Sequence, residues 1–368
     1  MAVIKTIIAF FLSFCQFLAP GWQSLIKGGE SAFFEKWNIA QEYADDYAVE
    51  LQKDPDKDFV ILNITDVQFT DGKTFTEDDE FSYAVIRKLV NEKKPDLITV
   101  TGDNAWGNMA YIRFVKELDS LGIPWAPVMG NHDGQNTPSE FWCAYQMANA
   151  ENCLFKFGPE GMGYGNYIIN ITENGKIIHT VFMMDTHSNG PDTPNGAING
   201  TGYDGIWANQ MYWYKWAVQG IAAKAGKTVE STLFVHIPLY QYRLAWALQG
   251  DDKTGSVKPE FGPESYGVNH EGIYSPDLDN GFFDLMKSLG STKSVVCGHE
   301  HVNNFSIPYE GIRLTYALKC GSGCYWEPEL NGGTLVTING NGNASVQHVF
   351  VDPADIQVEP TLFSGILF

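Results

Sequence analysis

Positive charge is scarce in this chain of 368 residues, in which 24 lysines and arginines stand against 44 aspartates and glutamates, a net charge of −20. Proteins that bind nucleic acid draw much of their affinity from lysine and arginine on phosphates, so the composition argues against nucleic-acid binding. A phosphorylated substrate is not excluded, because bound metal ions can dominate the local field of a site. Internal repeats, coiled-coil heptads and low-complexity tracts are also missing, which leaves an ordinary globular composition.

The apolar run near the N-terminus is too short to be read as an ordinary membrane span. Lys5 precedes residues 6–19, whose length is typical of the hydrophobic region of a signal peptide and below the ~20 residues that cross a bilayer. A small-x-small cleavage site is missing, because Phe17 and Pro20 flank the end of the run. Residues 1–30 are therefore predicted to be a signal peptide or an N-terminal membrane anchor, and the protein to be secreted or attached to the cell surface. An apolar helix docked on the domain is the alternative.

Cysteine is limited to six residues, four of which form two close pairs in sequence. Cys143 with Cys153, and Cys320 with Cys324, are near enough to form disulfides in an oxidising compartment. For the second pair, metal binding is the alternative. Cys297 lies in an apolar run and is expected to stay unpaired.

Three strand–helix units follow one another in the first third of the chain. Near-continuous apolar runs predict buried strands at 58–65, 97–101 and 125–129. Helical patterns separate them at 77–91 and 110–121, and a further amphipathic pattern predicts a helix at 33–51. Each of the three strands ends in polar residues, and in α/β sheets this end of the strands is where sites are built.

The remainder of the chain mixes hairpins, helices and two long polar loops. The predicted elements are strands at 167–171, 177–184 and 232–235, helices at 207–224 and 280–289, a strand leading to Gly298, and three antiparallel strands at 312–317, 333–338 and 344–351. The loops cover 186–206 and 249–276, and loops of such length are usually functional or disordered. No linker divides the chain, so residues 31–368 are predicted to form a single domain.

Side chains of metal-ligand type follow five of the predicted strands. They are Asp66, Gln68, Asp103, Asn131, His132, His236, His299 and His301. Carboxylate, amide and imidazole together suit two borderline-to-hard divalent or trivalent ions, and not a zinc site made of thiolates. Asp103 is the natural bridging carboxylate, and His132 would then be free to protonate a leaving oxygen. Two metal ions clamp an in-line displacement and lower the pKa of bound water.

The order of these motifs resembles the calcineurin-like metallophosphoesterase superfamily. The resemblance rests on Asp66-x-Gln68, Gly102-Asp103-Asn104, Gly130-Asn131-His132-Asp133, His236 and Gly298-His299-x-His301, and it covers residues 61–302. More narrowly, Met184-Asp185-Thr186, residues 234–239 and Asn280-Gly281-Phe282-Phe283 resemble the purple-acid-phosphatase-like branch found in plants and fungi.

The resemblance implies a fold, a ligand set and a cofactor. The fold is an α/β four-layer αββα sandwich, in which two mixed β-sheets are flanked by helices. Two divalent or trivalent ions, of Fe, Zn or Mn, form a binuclear centre that activates a hydroxide. Metal one would be bound by Asp66 and His301, with Gln68 at the position of a further ligand, and metal two by Asn131, His236 and His299. Asp103 would bridge the two ions, and His132 would serve as the leaving-group acid or contact the phosphate.

Two residues depart from the family pattern. Gln68 stands where the family usually has histidine, and because an amide oxygen binds more weakly than imidazole, metal one is expected to be held more loosely. Trp106 stands three residues after the bridging aspartate, where true purple acid phosphatases have the tyrosine that gives them colour. A colourless protein is therefore expected.

The function implied is metal-dependent hydrolysis of phosphate esters, with phosphomonoesters favoured. The alternatives are a phosphodiesterase acting on a nucleotide or lipid headgroup, and a metal-binding surface module without turnover, which the presence of Gln68 would allow. The expected partner is a phosphorylated small molecule or protein, with membrane attachment through the N-terminal segment as a further option.

A few more residues are weaker candidates. His187, His270 and Glu271 lie in the two long loops, where they are either substrate contacts or solvated polar residues. Trp106 and Tyr203 could wall the pocket or simply pack. His179 and His348 lie on predicted strands and are expected to be structural.

Overall fold

The computed structural model describes residues 29–44, 46–70, 77–188 and 202–358. The predicted signal peptide or anchor falls almost wholly outside these ranges, as does most of the first long loop. Within the described ranges, every helix is too short or too polar to cross a bilayer.

Sixteen strands and six α-helices form the regular structure of the described residues. The strands are β1 Val49–Gln52, β2 Phe59–Ile64, β3 Phe69–Thr70, β4 Leu97–Thr101, β5 Ala105–Trp106, β6 Trp125–Val128, β7 Tyr167–Glu173, β8 Lys176–Met183, β9 Glu230–Phe234, β10 Gly250–Asp251, β11 Ser256–Val257, β12 Thr292–Cys297, β13 Ser306–Tyr309, β14 Ile312–Tyr316, β15 Gly332–Ile338 and β16 Ala344–Phe350. The helices are α1 Glu77–Lys93, α2 Asn108–Ser120, α3 Glu140–Ala148, α4 Ala208–Ala225, α5 Gln241–Gln249 and α6 Phe282–Leu289.

Two large mixed sheets contain most of these strands. The five-stranded sheet has the order β16-β15-β2-β4-β6, in which β2, β4 and β6 are parallel and β15 is antiparallel to both its neighbours. The seven-stranded sheet has the order β1-β7-β8-β9-β12-β14-β13, in which β8, β9, β12 and β14 are parallel. Strand pairs β3-β5 and β10-β11 are separate.

The sheets pack face to face, and the alternation of side chains along each strand builds the layers. In β7, Ile169 joins the core between the sheets together with Ile61 of β2. Its neighbour Ile168 points to the opposite face and packs in a second core with Trp213 of α4. Helices α1, α2 and α3 cover the outer face of the five-stranded sheet through residues such as Phe114. The predicted four-layer αββα class is confirmed.

The strands that were predicted from continuous apolar runs are confirmed as β2, β4 and β6, whereas the helix predicted at 33–51 is wrong. This stretch is irregular and ends in β1. Its aromatic side chains recur at near-helical spacing, but they divide between two sites. Phe33 and Phe34 pack on Phe157, whereas Trp37, Tyr43 and Tyr47 pack on Trp216. Phe33 packs edge-on against Phe141 (5.3 Å between ring centroids), and Tyr47 against Trp216 (4.8 Å). The spacing that resembles an amphipathic helix therefore reflects tertiary contacts of an irregular segment and not one face of a helix.

The three strands predicted near the C-terminus exist, but they do not form one antiparallel set. Strand β14 is parallel to β12 and antiparallel to β13, which was not predicted. Strands β15 and β16 belong to the other sheet. Helices α3 and α5 were also missed.

The expected disulfides are absent, since the five cysteines of the described ranges are all free thiols. Cys143 is buried and its thiol donates to the carbonyl oxygen of Asp133 at 3.2 Å. Cys320 is buried whereas Cys324 is exposed, so closeness in sequence does not make either pair face each other.

His179 and His348 are structural, as predicted, and both are buried in their neutral form. The Nδ1–H of His179 donates to the carbonyl of Gly342 (2.8 Å), and its Nε2 accepts from the hydroxyl of Thr232 (3.0 Å). Burial lowers the pKa of His179 to about 4, and that of His348 likewise. The hydrogen bond to the carbonyl of Gly342 raises the pKa of His179, but by less than burial lowers it.

We predict that the His179 imidazole makes the protein less stable in acid. Between its unfolded pKa near 6.5 and its folded pKa near 4, the unfolded chain binds more protons, so the free energy of unfolding falls as the pH falls. The loss from pH 7.5 to pH 4.5 is about 2–3 kcal/mol for this group. Urea unfolding at both pH values should show a smaller acid loss in His179→Gln than in the wild type. Equal losses in the two proteins would contradict the prediction.

Candidate metal centre

The carboxyl ends of five parallel strands meet at one edge of the two packed sheets. Two hydrogen bonds join the sheets there: His236 Nδ1 donates to the carbonyl of Thr101 (2.7 Å), and the backbone N–H of His299 donates to Oδ2 of Asp66 (3.0 Å). The residues that the sequence singled out for this edge are all brought into one connected cluster. They are Asp66, Gln68, Asp103, Asn131, His132, His236, His299 and His301.

The backbone at this edge is strained. Asp66, Gln68, Asp103 and His299 have φ angles of 53°, 51°, 50° and 84°, a region that residues with side chains seldom adopt. Paired turns hold the first three in place, because the N–H of Asp66 donates to the carbonyl of Gly102 and that of Gln68 to the carbonyl of Asp103. Such strain persists only where surrounding structure enforces it, and it clusters at functional sites.

Glycine allows the strand ends to approach so closely. A Cβ atom on Gly298 would lie 2.0 Å from Oγ1 of Thr65 and 2.6 Å from Oδ2 of Asp66. A Cβ atom on Gly130 would lie 2.2 Å from Oδ1 of Asp103. The glycines before the histidine and asparagine motifs are therefore needed for contact between neighbouring turns.

One half of the cluster contains Asp66, Gln68 and His301. Nε2 of His301 lies 3.5 Å from Oδ1 of Asp66. Its Nδ1–H donates to the carbonyl of Tyr325 (2.8 Å), which leaves a lone pair on Nε2. The amide Nε2 of Gln68 donates to Oδ2 of Asp103 (3.2 Å), so this side chain does not simply cap a turn.

The other half is centred on Nε2 of His236. This atom lies 2.9 Å from Oδ1 of Asn131, 3.2 Å from Nδ1 of His299 and 3.5 Å from Oδ1 of Asp103. Because Nδ1 of His236 donates to Thr101, its Nε2 carries a lone pair. Atoms that accept hydrogen bonds or bind cations thus crowd around one point with few protons between them, and a cation would relieve that crowding.

The charges at the site favour a cation as well. Burial raises the pKa of Asp66, but positive charge on His301 and His236 when they are protonated, and on Lys319, holds this pKa below its usual value. Burial lowers the pKa of His236, whereas the carboxylates of Asp103 and Asp66 raise it, with a net upward shift. The cluster therefore keeps Asp66 ionised and favours positive charge on the imidazole of His236.

Three buried atoms that could bind a metal ion have no hydrogen-bond partner among the described residues: Oδ1 of Asp66, Oε1 of Gln68 and Nε2 of His299. Unpaired buried polar atoms are costly and rare, so each needs an explanation. In addition, ligand atoms of Asp66, Asp103 and His236 lie within 4.8 Å of one another. Oxygen and imidazole donors in this arrangement fit borderline-to-hard metal ions.

His132 lies beside this donor set. Its backbone N–H donates to Oδ1 of Asp103 (2.9 Å), and its ring stands edge-on to Trp106 at 5.1 Å. Its Nδ1 is buried and has no hydrogen-bond partner in the described part of the chain. The aromatic contact leaves His132 held against the cluster without tying up this nitrogen.

Several residues of the site were not found from the sequence. Lys319 is buried and its ammonium group donates to the carbonyl of Asp66. The Asp133 carboxylate is buried and accepts from the backbone N–H groups of Gly130 (2.7 Å) and Asn104 (2.8 Å), which locks two strand ends together. Tyr325 contacts His301. A lysine inside the apolar run 314–320 was a usable signal for Lys319, whereas nothing local pointed to Tyr325.

The weaker candidates separate into two groups. Tyr203 stands edge-on to His299 at 4.3 Å and so walls the cluster. His187 instead stacks on Trp207 at 3.7 Å and contacts Gln210 (3.0 Å), and with Gly130 it lines a cavity of about 180 Å³. His187 therefore does not enter the metal-ligand cluster.

The fold and the cluster together define a two-sheet α/β sandwich with oxygen and imidazole donors at one sheet edge. Residues 59–303 match the family model described as calcineurin-like phosphoesterase, and the chain belongs to this family. Membership supports metal-dependent hydrolysis of phosphoesters as its class of function.

Named relatives agree with this assignment. The chain is 26% identical over 307 residues to "Probable inactive purple acid phosphatase 14" of Arabidopsis thaliana, covering 73% of this chain and 72% of that protein. It is 26% identical over 351 residues to "Phosphatase DCR2" of Saccharomyces cerevisiae, covering 85% of this chain and 57% of the relative. A dimetal phosphatase from Danio rerio is a structural neighbour with a TM-score of 0.49 and 12% identity, covering 77% of this chain and 93% of its own. The resemblance to the purple-acid-phosphatase-like branch is confirmed by the Arabidopsis relative.

We predict that Gly298→Ala destabilises the fold, because the new methyl group would overlap Thr65 and Asp66. Overpacking of this kind costs about 1–3 kcal/mol. Gly340→Ala is the matched control, since the nearest atom to its added Cβ would be 3.9 Å away. Urea unfolding of both variants measures the difference, and equal stabilities would show that the close approach at Gly298 is not required.

Proposed function

We propose that this protein is a metal-dependent phosphoesterase that hydrolyses phosphate esters, with a preference for phosphomonoesters. The observation that carries the proposal is the convergence of buried Asp66, Asp103 and His236, whose ligand atoms lie within 4.8 Å of one another, in a chain of this family. The unpartnered buried atoms of Asp66, Gln68 and His299 support it, because metal coordination would satisfy all three.

Two ions of Fe, Zn or Mn would share the donors. One half of the cluster, with Asp66, Gln68 and His301, would hold one ion. The other half, with Asn131, His236 and His299, would hold the second, and Asp103 would be shared by both. Bound there, the ions would supply Lewis acidity toward the phosphoryl oxygens and a lowered pKa for water.

The protein's own groups would position the substrate and move the proton. Asp103 fixes the backbone of His132 through its Oδ1, and Trp106 supports the imidazole ring edge-on. The free Nδ1 of His132 can then donate a proton to the departing alcohol oxygen or contact the phosphate. Tyr203 beside His299 would form one wall for the ester group.

A metal-binding surface module without turnover is the second candidate, and Gln68 favours it. The amide replaces an imidazole in the half that contains Asp66 and His301, and a weaker ligand there would leave the first ion loosely held. The Arabidopsis relative is named probable inactive, whereas the yeast relative is named a phosphatase. We favour turnover because the backbone N–H of His132 donates to Oδ1 of Asp103, which would hold the proposed acid beside the proposed shared carboxylate.

The extent of the domain, the location of the protein and its substrate are also proposals. We infer a single domain from residue 31 to residue 368, and a secreted or surface-attached protein that acts on a phosphorylated small molecule or protein. The inference about location rests on the composition of residues 1–30, most of which lie outside the described ranges.

We predict that His132→Ala lowers kcat/KM toward a chromogenic phosphomonoester by about 10²–10⁴, the usual contribution of a positioned acid. Asp103→Ala should lose at least as much, and should also lose bound metal in elemental analysis. Asp284→Ala, whose side chain is 76% exposed on α6, is the matched surface control.

The same assay decides between the candidate functions. A diester rate above the monoester rate would favour the phosphodiesterase. If the protein binds two ions but hydrolyses neither phosphomonoesters nor phosphodiesters, the metal-binding module without turnover is favoured. Unchanged rates in His132→Ala and Asp103→Ala would show that the site is assigned wrongly.

We further predict that the iron-loaded protein shows no visible absorption band from a tyrosinate–iron bond. Trp106 occupies the position three residues after Asp103, and its indole ring packs on His132. An absorption spectrum of the protein reconstituted with ferric iron tests this directly. A strong tyrosinate band would mean that a tyrosine reaches the metal from elsewhere in the chain.

A further inference from the structure

The second long loop reaches the site at the segment that contains His270 and Glu271. The backbone N–H groups of both residues donate to Oδ1 of Asn303, at 2.9 Å and 3.1 Å. The N–H of His270 also donates to the carbonyl of Val302 (3.3 Å). This segment is therefore fastened to the two residues that directly follow His301.

Tyr325 covers one face of the His301 ring. Its ring stacks on the imidazole with 4.1 Å between centroids and 19° between planes, and its carbonyl accepts the Nδ1–H at 2.8 Å. The stack limits tilting of the imidazole, while the carbonyl fixes the proton on Nδ1. Nε2 is thereby left unprotonated toward Asp66.

Glu271 connects these two elements. Its Oε2 accepts from the hydroxyl of Tyr325 (2.8 Å), and its Oε1 accepts from the backbone N–H of Val302 (3.1 Å). One carboxylate thus ties the ring that covers His301 to the backbone that follows it. The Tyr325 side chain is 50% exposed, so burial alone would not hold it there.

The opposite half of the cluster is held differently. His236 is fully buried and its Nδ1 donates to the carbonyl of Thr101, the last residue of a core strand. His301 belongs to a turn and depends on contacts with two loops. Ligand orientation on this side is therefore sensitive to residues that do not themselves face the donor cluster.

We propose that Glu271 and Tyr325 are positioning residues that hold His301 for the ion on the Asp66 side, and so offset the weak ligand Gln68. The inference rests on the proposed function, since it presumes the two-ion site. Groups that orient a metal-binding histidine typically change metal affinity or activity 10–100-fold when removed. Here they act on a single imidazole, because Gln68 has replaced the other one expected for this ion.

A neighbouring pair supplies a matched control. His270 Nδ1 lies 2.8 Å from Oε2 of Glu327, and the two side chains are 36% and 38% exposed. This pair joins the same two loops but makes no described contact with His301. Glu327→Gln removes the charge of this pair. It therefore tests the general stability of the two loops without changing any contact of His301.

The experiment measures zinc retained by the purified full chain against increasing concentrations of a chelator. The wild type should release two ions in two steps, the weaker one first. Tyr325→Ala and Glu271→Ala should weaken the first-released ion about 10- to 100-fold and leave the second unchanged. Tyr325→Phe, which keeps the ring and loses only its bond to Glu271, should fall between. Glu327→Gln and the exposed control Tyr212→Ala should match the wild type.

Each result bears on the inference. Thermal unfolding identifies variants that fail to fold, and in that case the nearly isosteric Tyr325→Phe and Glu271→Gln decide. Unchanged release of both ions, or equal weakening of both, in a folded Tyr325 variant would overturn the inference, as would a wild type that binds fewer than two ions. Two ions without ester hydrolysis would instead overturn only the proposed catalysis, because the release measurement needs no turnover.

Discussion

The site depends on contact between the carboxyl edges of two different sheets. The bonds from His236 to Thr101 and from His299 to Asp66 each cross from one sheet to the other. Every donor of the cluster takes its position from one of the strands that these bonds align. A shift of one residue in strand register would turn the side chains to the opposite faces and separate the two halves. Gly298 and Gly130 keep the edges close enough for the contact.

This arrangement costs folding free energy in the metal-free chain. Residues at positive φ, the buried carboxylate of Asp66 and buried polar atoms without a hydrogen-bond partner are each unfavourable alone. The two large cores beside the sheets offset that cost, and the ammonium group of Lys319 on the carbonyl of Asp66 adds local positive charge. Because the same acceptors would be satisfied by a cation, metal binding should be coupled to stability, with the folded state favoured as ions bind.

The sequence predicted most of the cluster but less of what surrounds it. Apolar runs identified β2, β4 and β6, and the order of the motifs predicted that Asp66, Asp103 and His236 meet at one edge. Patterns of this kind describe one segment at a time. They could not show that β14 and β15 belong to different sheets, nor that the aromatic residues at 33–51 pack at two different places on the domain. Glu271 and Tyr325 are 54 residues apart in the sequence, so no local sequence pattern could predict their contact.

Gln68 makes the two halves chemically unequal. Its amide N–H₂ donates to Oδ2 of Asp103, so it draws on the negative charge of the very carboxylate that would bridge both ions. A neutral imidazole with its unprotonated nitrogen toward the site would offer a lone pair and would not need to donate a hydrogen bond to Asp103. The Asp66 side thus combines an amide oxygen, a carboxylate and one imidazole, a set that shifts preference toward harder ions. The side with His236 and His299 keeps two imidazoles and suits a borderline ion. In the proposed two-ion site, Gln68 would therefore affect metal selectivity as well as the strength of one ligand.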